Sequence, residues 1–229
     1  NQIEQSRRDV RDQHSAPDTY LVTFGAQHSI GWRFYPAWLQ KIEQDYGPIL
    51  SRLRADDLPV CLRDLDNGDV DFVIAYVGDD LLQSATRESV VIGRDQMIAV
   101  SKPDAYGRPL YDLTHEAKNV PLLRFGESAP LGAHIGTMFA RYGLGPQFKV
   151  IYENSMTGAL RVRARAGDGI AWLPQSLVQP DMDNGVLVRT GDSAWAVDLA
   201  IRLFRNTERK NRVTEGLWAF LTECPDQST

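Results

Sequence analysis

Three short polar stretches hold the side chains best suited to chemistry, and that chemistry is recognition of a small molecule. Gln27, His28 and Ser29 follow a Val/Phe/Thr-rich stretch at 20–25. Arg124, Gly126, Glu127 and Ser128 follow an apolar stretch at 120–125, and Asn154 and Met156 follow another at 148–152. Each lies where a strand is predicted to end and a helix to begin. In an open α/β sheet, ligands sit beyond the carboxyl ends of strands, where the first N–H groups of a helix have no partner inside it. A serine at that place, such as Ser29, caps its helix or donates to a ligand, and one hydroxyl serves both ends. Arg124 suits a carboxylate taken through two parallel N–H···O bonds, or an internal pair with Glu127 or another acid. Gly126 admits close backbone approach, Ser128 suits a cap and Pro130 the first helical turn. Tyr76, with Val77 and Gly78, closes a further strand predicted at 72–76. His28 has no His/Cys/Asp/Glu cluster at ligand spacing around it and reads as a surface or capping residue, so no metal or cofactor is expected.

Catalytic patterns are missing. There is no Gly-x-Ser-x-Gly elbow, no Gly-x-x-x-x-Gly-Lys phosphate loop and no His-Glu-x-x-His. The neighbouring carboxylates of Asp64 and Asp66, and of Asp79 and Asp80, read as solvated faces. Arg161, Arg163 and Arg165 alternate on a predicted helix, which spreads them around its cylinder; solvent, ion pairing or a subunit interface is expected rather than an anion site. A formal net charge of −5 over 229 residues argues against this stretch gripping nucleic acid. No apolar run reaches the roughly twenty residues of a membrane span, and the polar start does not read as a signal peptide. Cys61 and Cys224, far apart and outside any Cys-x-x-Cys spacing, read as free thiols of a reducing cytoplasm, although spacing alone leaves a disulfide switch open.

Periodicity gives the elements that must place these groups. A strand is predicted at 20–25. A helix at 32–46 follows, with Tyr35, Trp38, Leu39, Ile42 and Tyr46 on one stripe. After a strand at 49–54, a helix capped by Asp57 carries Leu58, Cys61, Leu62 and Leu65 and closes at Asn67 and Gly68. The 72–76 strand is almost continuously apolar, as when both sheet faces are covered. The order then recurs: a strand at 120–125, a helix striped by Leu131, Ile135, Met138, Phe139 and Tyr142, and a strand at 148–152. A helix at 155–166 capped by Asn154 and Ser155 follows, and a strand at 170–173 stopped by Pro174. Stretches 97–101 and 197–205 are candidate strands between the halves, and Val213, Leu217, Trp218 and Leu221 stripe a last helix. The fold class is α/β: two Rossmann-like lobes joined by two crossing strands, with a cleft between them.

Two motifs narrow this reading. Leu65-Asp66-Asn67-Gly68-Asp69-Val70-Asp71-Phe72-Val73-Ile74 fits Leu-x-x-Gly-x-x-Asp-x-x-Ile, and Ala166-Gly167-Asp168-Gly169-Ile170-Ala171-Trp172-Leu173-Pro174 holds Gly-x-Gly-Ile-Ala-x-Leu-Pro. With them, residues 19 to about 222 resemble the effector-binding domain of LysR-type transcriptional regulators, which have a type 2 periplasmic-binding-protein-like fold. The resemblance implies a small polar or carboxylate-bearing effector in the inter-lobe cleft. It also implies a homodimer, tetrameric in the full-length form, and DNA binding through an N-terminal winged helix-turn-helix that is not in this stretch. It further implies that the helices at 32–46 and 155–166 pack side by side between subunits. The expected division is 1–17 as the end of a linker helix, 18–98 with 206–229 as the first lobe, and 99–205 as the second. Residues 121–178 look closest to the hypochlorite-responsive branch, which senses oxidant through methionine. Leu131 stands where that branch has a methionine, Met138 falls on a core stripe, and Met156 is the methionine best placed for oxidation. A stand-alone solute-binding protein with the same architecture is the rival reading.

Overall fold

The computed structural model describes residues 20–77, 86–113, 118–126, 129–143, 148–209 and 211–223. The linker helix expected at 1–17, and Glu127, Ser128 and Cys224, lie outside them. The chain divides into two compact units, 1–75 with 79–93 and 201–229, and Tyr76–Gly78 with Arg94–Ala200.

In the first unit β1 (Val22–Ala26) runs into α1 (His28–Arg33) and α2 (Tyr35–Tyr46), then β2 (Ser51–Ala55), α3 (Leu58–Asn67) and β3 (Phe72–Val77), whose last two residues, Tyr76 and Val77, fall in the second unit. β1 pairs in parallel with β2 and β3, with Phe24 opposite both Leu53 and Phe72. The helix expected over 32–46 is two helices: Phe34 keeps an α conformation between them, and Pro36 stands in the first turn of α2, where its missing N–H costs nothing. Tyr35, Trp38, Ile42 and Tyr46 are buried, while Leu39 is only half-buried. Phe24 stacks on Phe72 at 5.5 Å, and Phe72 stacks on Trp218. Asp57 stands at the cap position of α3, but its side chain makes no capping bond. α3 ends on Gly68 in the left-handed conformation (φ 80°).

β4 (Arg87–Ser101) and β9 (Val197–Asn206) run from one unit into the other, changing over at 93/94 and 200/201. β4 is far longer than the 97–101 segment legible in the sequence. In the second unit β5 (Val120–Arg124), α4 (Pro130–Tyr142), β6 (Phe148–Glu153), α5 (Thr157–Ala166) and β7 (Ile170–Pro174) repeat the first unit's plan. α6 (Gln175–Asp183) and the two-residue β8 (Val188–Arg189) follow, and α7 (Arg212–Glu223) returns to the first unit. The strand orders match: β2-β1-β3 in one unit and β6-β5-β7 in the other. β5 is parallel to both its neighbours, and β7 runs antiparallel to β4.

The two glycines before β7 have different reasons. Gly167 ends α5 in the left-handed conformation (φ 91°). At Gly169 a Cβ would come within 2.6 Å of the Pro121 carbonyl oxygen, so the chain enters β7 against β5 only without a side chain. Trp172 is buried, and its indole N–H donates to the Trp195 carbonyl at 2.7 Å. The arginine row of α5 is used for pairing. Arg163 pairs with Asp168 and lies over the Tyr152 ring at 4.7 Å. Arg161 donates from Nε and Nη2 to Asp181 at 2.6 and 2.9 Å, and those bonds raise its pKa above the ordinary arginine value.

Asp181 is only 5% exposed and the Arg161 side chain 16%, so removing Asp181 breaks a largely buried ion pair. Asp181→Ala is expected to cost about 3–5 kcal/mol of stability in urea unfolding, whereas Arg161→Met combined with Asp181→Leu should recover most of that loss. A single-mutant cost below about 1 kcal/mol would show the pair to be solvated.

Candidate functional site

Parallel pairing puts the carboxyl ends of β1 and β2 on one edge of the first unit's sheet and those of β5 and β6 on one edge of the second's. A single backbone bond closes each corner in the same way. The Asp56 N–H donates to the Ala26 carbonyl at 3.0 Å, and the Asn154 N–H donates to the Arg124 carbonyl at 3.2 Å. Each unit therefore presents two strand-to-helix turns side by side.

In the first unit the turn is formed by 27–29. Gln27 holds the cap position of α1 without a capping bond from its side chain, and His28 is exposed. Ser29 is not a cap, because it lies one residue inside the helix. As a residue it is 7% exposed; the buried hydroxyl without a hydrogen-bond partner among the described residues is that of Tyr35. A serine hydroxyl beyond a strand end is suited to donating to, or accepting from, a ligand.

In the second unit the geometry brings Arg124, Gly126, Glu153, Asn154 and Ser155 together. Arg124 Nε and Nη2 both donate to Glu153 Oε2, at 2.7 and 2.6 Å. Glu153 lies on the neighbouring strand and was not singled out from the sequence; its signal is an acid at the matching end of β6. A Cβ on Gly126 would reach the Ser155 hydroxyl at 3.2 Å, so this glycine lets one turn lie against the other. The Asn154 Oδ1 accepts the Met156 N–H at 2.8 Å, and its Nδ2 donates to the Tyr152 hydroxyl at 3.0 Å. α5 accordingly starts two residues later than expected, with Met156 at the cap position. Met156 is 55% exposed.

Tyr76 is buried and engaged. Its hydroxyl donates to Asp95 Oδ2 at 2.9 Å, and the Ser176 hydroxyl donates to the same oxygen at 2.6 Å. Asp95 Oδ1 accepts the N–H groups of Gln96 and Ser176. Burial, then the Asp95 charge, pushes the Tyr76 phenol well above its ordinary value, so it stays a donor. Sequence reasoning missed Asp95 and Ser176. An acid two residues before the apolar stretch at 97–100 was the available signal for the first, and a serine just after Pro174, at a helix start, for the second.

The described residues hold no group of three or more His, Cys, Asp or Glu side chains able to bind a metal ion. None of their helices is long and apolar enough to cross a membrane. Cys61 is a buried free thiol. Desolvation, then the Asp56 charge, pushes its pKa up to about 11, which keeps it unreactive. Leu131 and Met138 are buried in the core.

A family model described as LysR substrate binding domain matches residues 16–224. The chain is 25% identical over 203 residues to the HTH domain-truncated transcriptional regulator QseD of Escherichia coli O157:H7, covering 88% of this chain and 81% of that protein. It is equally 25% identical over 203 residues to the HTH-type transcriptional regulator YjiE of Escherichia coli strain K12, covering 88% of this chain and 64% of that one. The regulatory domain of HypT from Salmonella typhimurium shares the fold, with a TM-score of 0.77 at 21% identity over 93% of this chain and 98% of that one. The two Escherichia coli relatives are named as transcriptional regulators. The chain belongs to the LysR substrate binding domain family and is an effector-binding, regulatory domain of the LysR type.

Proposed function

We propose that this domain senses a small polar or carboxylate-bearing effector through its strand-to-helix turns: Gln27, His28 and Ser29 in the first unit, and Arg124, Gly126, Glu127, Ser128 and Asn154 in the second. Tyr76 acts from the hydrogen-bonded group around Asp95. The observation that carries the reading is the place of Ser29, a nearly buried serine in the first turn of α1 beyond the carboxyl end of β1. The domain works without enzymatic activity in a cytoplasmic regulator that binds DNA through a winged helix-turn-helix outside this stretch. Binding biases backbone torsions in β4 and β9, the strands that run from one unit into the other, and so changes the geometry of a dimer, or of a tetramer in the longer protein.

The dimer draws its support from apolar side chains left in water. Trp32 is 62% exposed beside α2, Val162 is 65% exposed on α5, and Val150 and Ile151 are exposed on β6, the last strand of its sheet. We place α2 of one subunit against α5 of the other, twice about a two-fold axis. Oxidant sensing has one observation in its favour, the exposed thioether of Met156.

A thermal-shift screen against amino acids, aromatic acids, short organic acids and oxidants should find a ligand that raises Tm, because binding only the folded state stabilises it. Ser29→Ala should then weaken that ligand about fivefold, the worth of one neutral hydrogen bond, with Tm nearly unchanged. Intact affinity in that variant would remove Ser29 from the site. By light scattering at high micromolar concentration the protein should be dimeric and Val162→Asp monomeric; a monomeric parent would favour a solute-binding protein instead. Peptide mapping after mild hypochlorite should find Met156 oxidised before the buried Met97 and Met138, with Cys61 intact. If Met156→Leu keeps the response to the screened ligand, that response does not run through oxidation.

A further inference from the structure

The second unit contains a cavity of about 350 Å³ between α4 and the strands β5 and β6. Leu122, Phe125, Ile135, Phe139, Phe148 and Trp172 line it, and Arg124 and Gly126 of the candidate turn line it too. That volume lies at the small end of ordinary ligand pockets, and apolar walls beside a single cation are their usual make-up. The rings are held stiffly. Phe139 stacks on Phe148 at 4.9 Å, and Trp172 meets both edge-on at 5.0 and 5.6 Å. The Trp172 indole is itself fixed by its bond to Trp195. Walls fixed in this way need no ordering when a ligand arrives.

Two glycines of α4 border the cavity one turn apart, and only one of them serves the fold. A Cβ on Gly132 would come to 3.0 Å from Phe125 Cβ and 3.1 Å from the Gly126 carbonyl oxygen, so Gly132 lets the helix lie on the turn. A Cβ on Gly136 would meet nothing within 4 Å. Glycine inside a helix is destabilising relative to almost any other residue except proline. Gly136 bears that cost where packing does not require it, at an exposed place on the cavity lining with room for a side chain.

We propose that this cavity receives the apolar ring of a monocarboxylic acid whose carboxylate takes Arg124 in place of Glu153. This rests on the reading that the β5–α4 turn binds the effector, and it names that effector's class. The Arg124–Glu153 pair is about two-fifths exposed on both sides, so exchanging one carboxylate for another leaves no charge buried and unpaired. The guanidinium turns both donors to a single oxygen, Glu153 Oε2, and the same two donors suit the carboxylate of a ligand.

The probes are 2-naphthoate and its neutral analogue 2-naphthamide, followed by calorimetry and by methyl NMR of the whole domain. Binding of 2-naphthoate should move the Leu122 and Ile135 methyls. Gly136→Leu fills the space and should weaken that binding roughly tenfold or more, with Tm unchanged or raised and the circular dichroism spectrum kept. Gly136→Ala, a smaller filling with less risk to the fold, should give a smaller loss. Arg124→Gln should weaken 2-naphthoate roughly tenfold and 2-naphthamide less than about twofold, since only the acid makes a charge-assisted pair. Unmoved cavity methyls, or full affinity in both Gly136 variants, would overturn the proposal. If small polar acids still bound with Ser29 dependence while 2-naphthoate left the cavity methyls unmoved, the cavity assignment alone would fall. If 2-naphthoate bound the cavity regardless of Ser29→Ala, the cavity would stand and Ser29 would leave the site.

Discussion

The structure depends on one backbone constraint: β4 is fifteen residues long, against the five or six typical of a strand. Every N–H and C=O along such a strand needs a partner. Here β9 is its neighbour on one side, and on the other β7 pairs with Met97–Val100 and β8 with Val100 and Ser101. Neither unit is a continuous segment, because β4 leaves the first for the second and β9 returns. What remains of each unit is a β-α-β-α-β segment. Its strands are parallel, because each is joined to the next by a helix that returns the chain to the starting edge. Parallel strands put all their carboxyl ends on that sheet's far edge. The turns that carry Ser29, Arg124 and Asn154 fall there through topology, whatever those residues bind.

Much of this was legible in the sequence because it rests on local rules. The β-α-β-α-β order, the α3 terminus at Gly68 and the α5 terminus at Gly167 follow from apolar spacing and from glycine at a left-handed exit. The buried stripe of Tyr35, Trp38, Ile42 and Tyr46 follows from a period of 3.6. What was not legible is non-local. The length of β4 is set by partners distant in sequence, since residues 87–96 mix charged and apolar side chains and carry no clean alternation. Phe139 and Tyr142, on the expected stripe of α4, are half-buried and exposed. The stripe shows which face of a helix is apolar, but how far along that face the sheet extends depends on β6. The start of α5 shifted because the Asn154 side chain bonds the Met156 N–H, and side-chain turns of this kind compete with a helical first turn.

The candidate site shows the same division between residue type and residue use. Arg124 and Asn154 were chosen for what their side chains are able to donate, yet Arg124 is paired with Glu153 and Asn154 is spent on Met156 and Tyr152. Tyr76 gives its proton to Asp95. These bonds hold turns and strand ends in place, and a ligand must either exchange with them or bind beside them. Exchange is cheap at Arg124 because both partners keep water contact, and costly at Asp95, whose carboxylate collects donors from three elements. So the exposed Arg124–Glu153 pair is the less costly of the two to exchange, and the Asp95 group the more rigid.

Redox chemistry sorts by the same physics. A thiol reacts as its thiolate, and burial beside Asp56 penalises the anion at Cys61, so the one described cysteine is closed to oxidants. A thioether carries no charge to desolvate, and its oxidation is governed by access. Met97 and Met138 are buried, whereas Met156 is more than half exposed at the head of α5. Converting it to the sulfoxide would add a polar group to an already solvated position, with little effect on packing. A switch needs the altered group to bias two packed arrangements. The exposure that makes Met156 oxidisable thus denies its oxidation leverage within one chain, and any leverage would have to come from a surface laid over it.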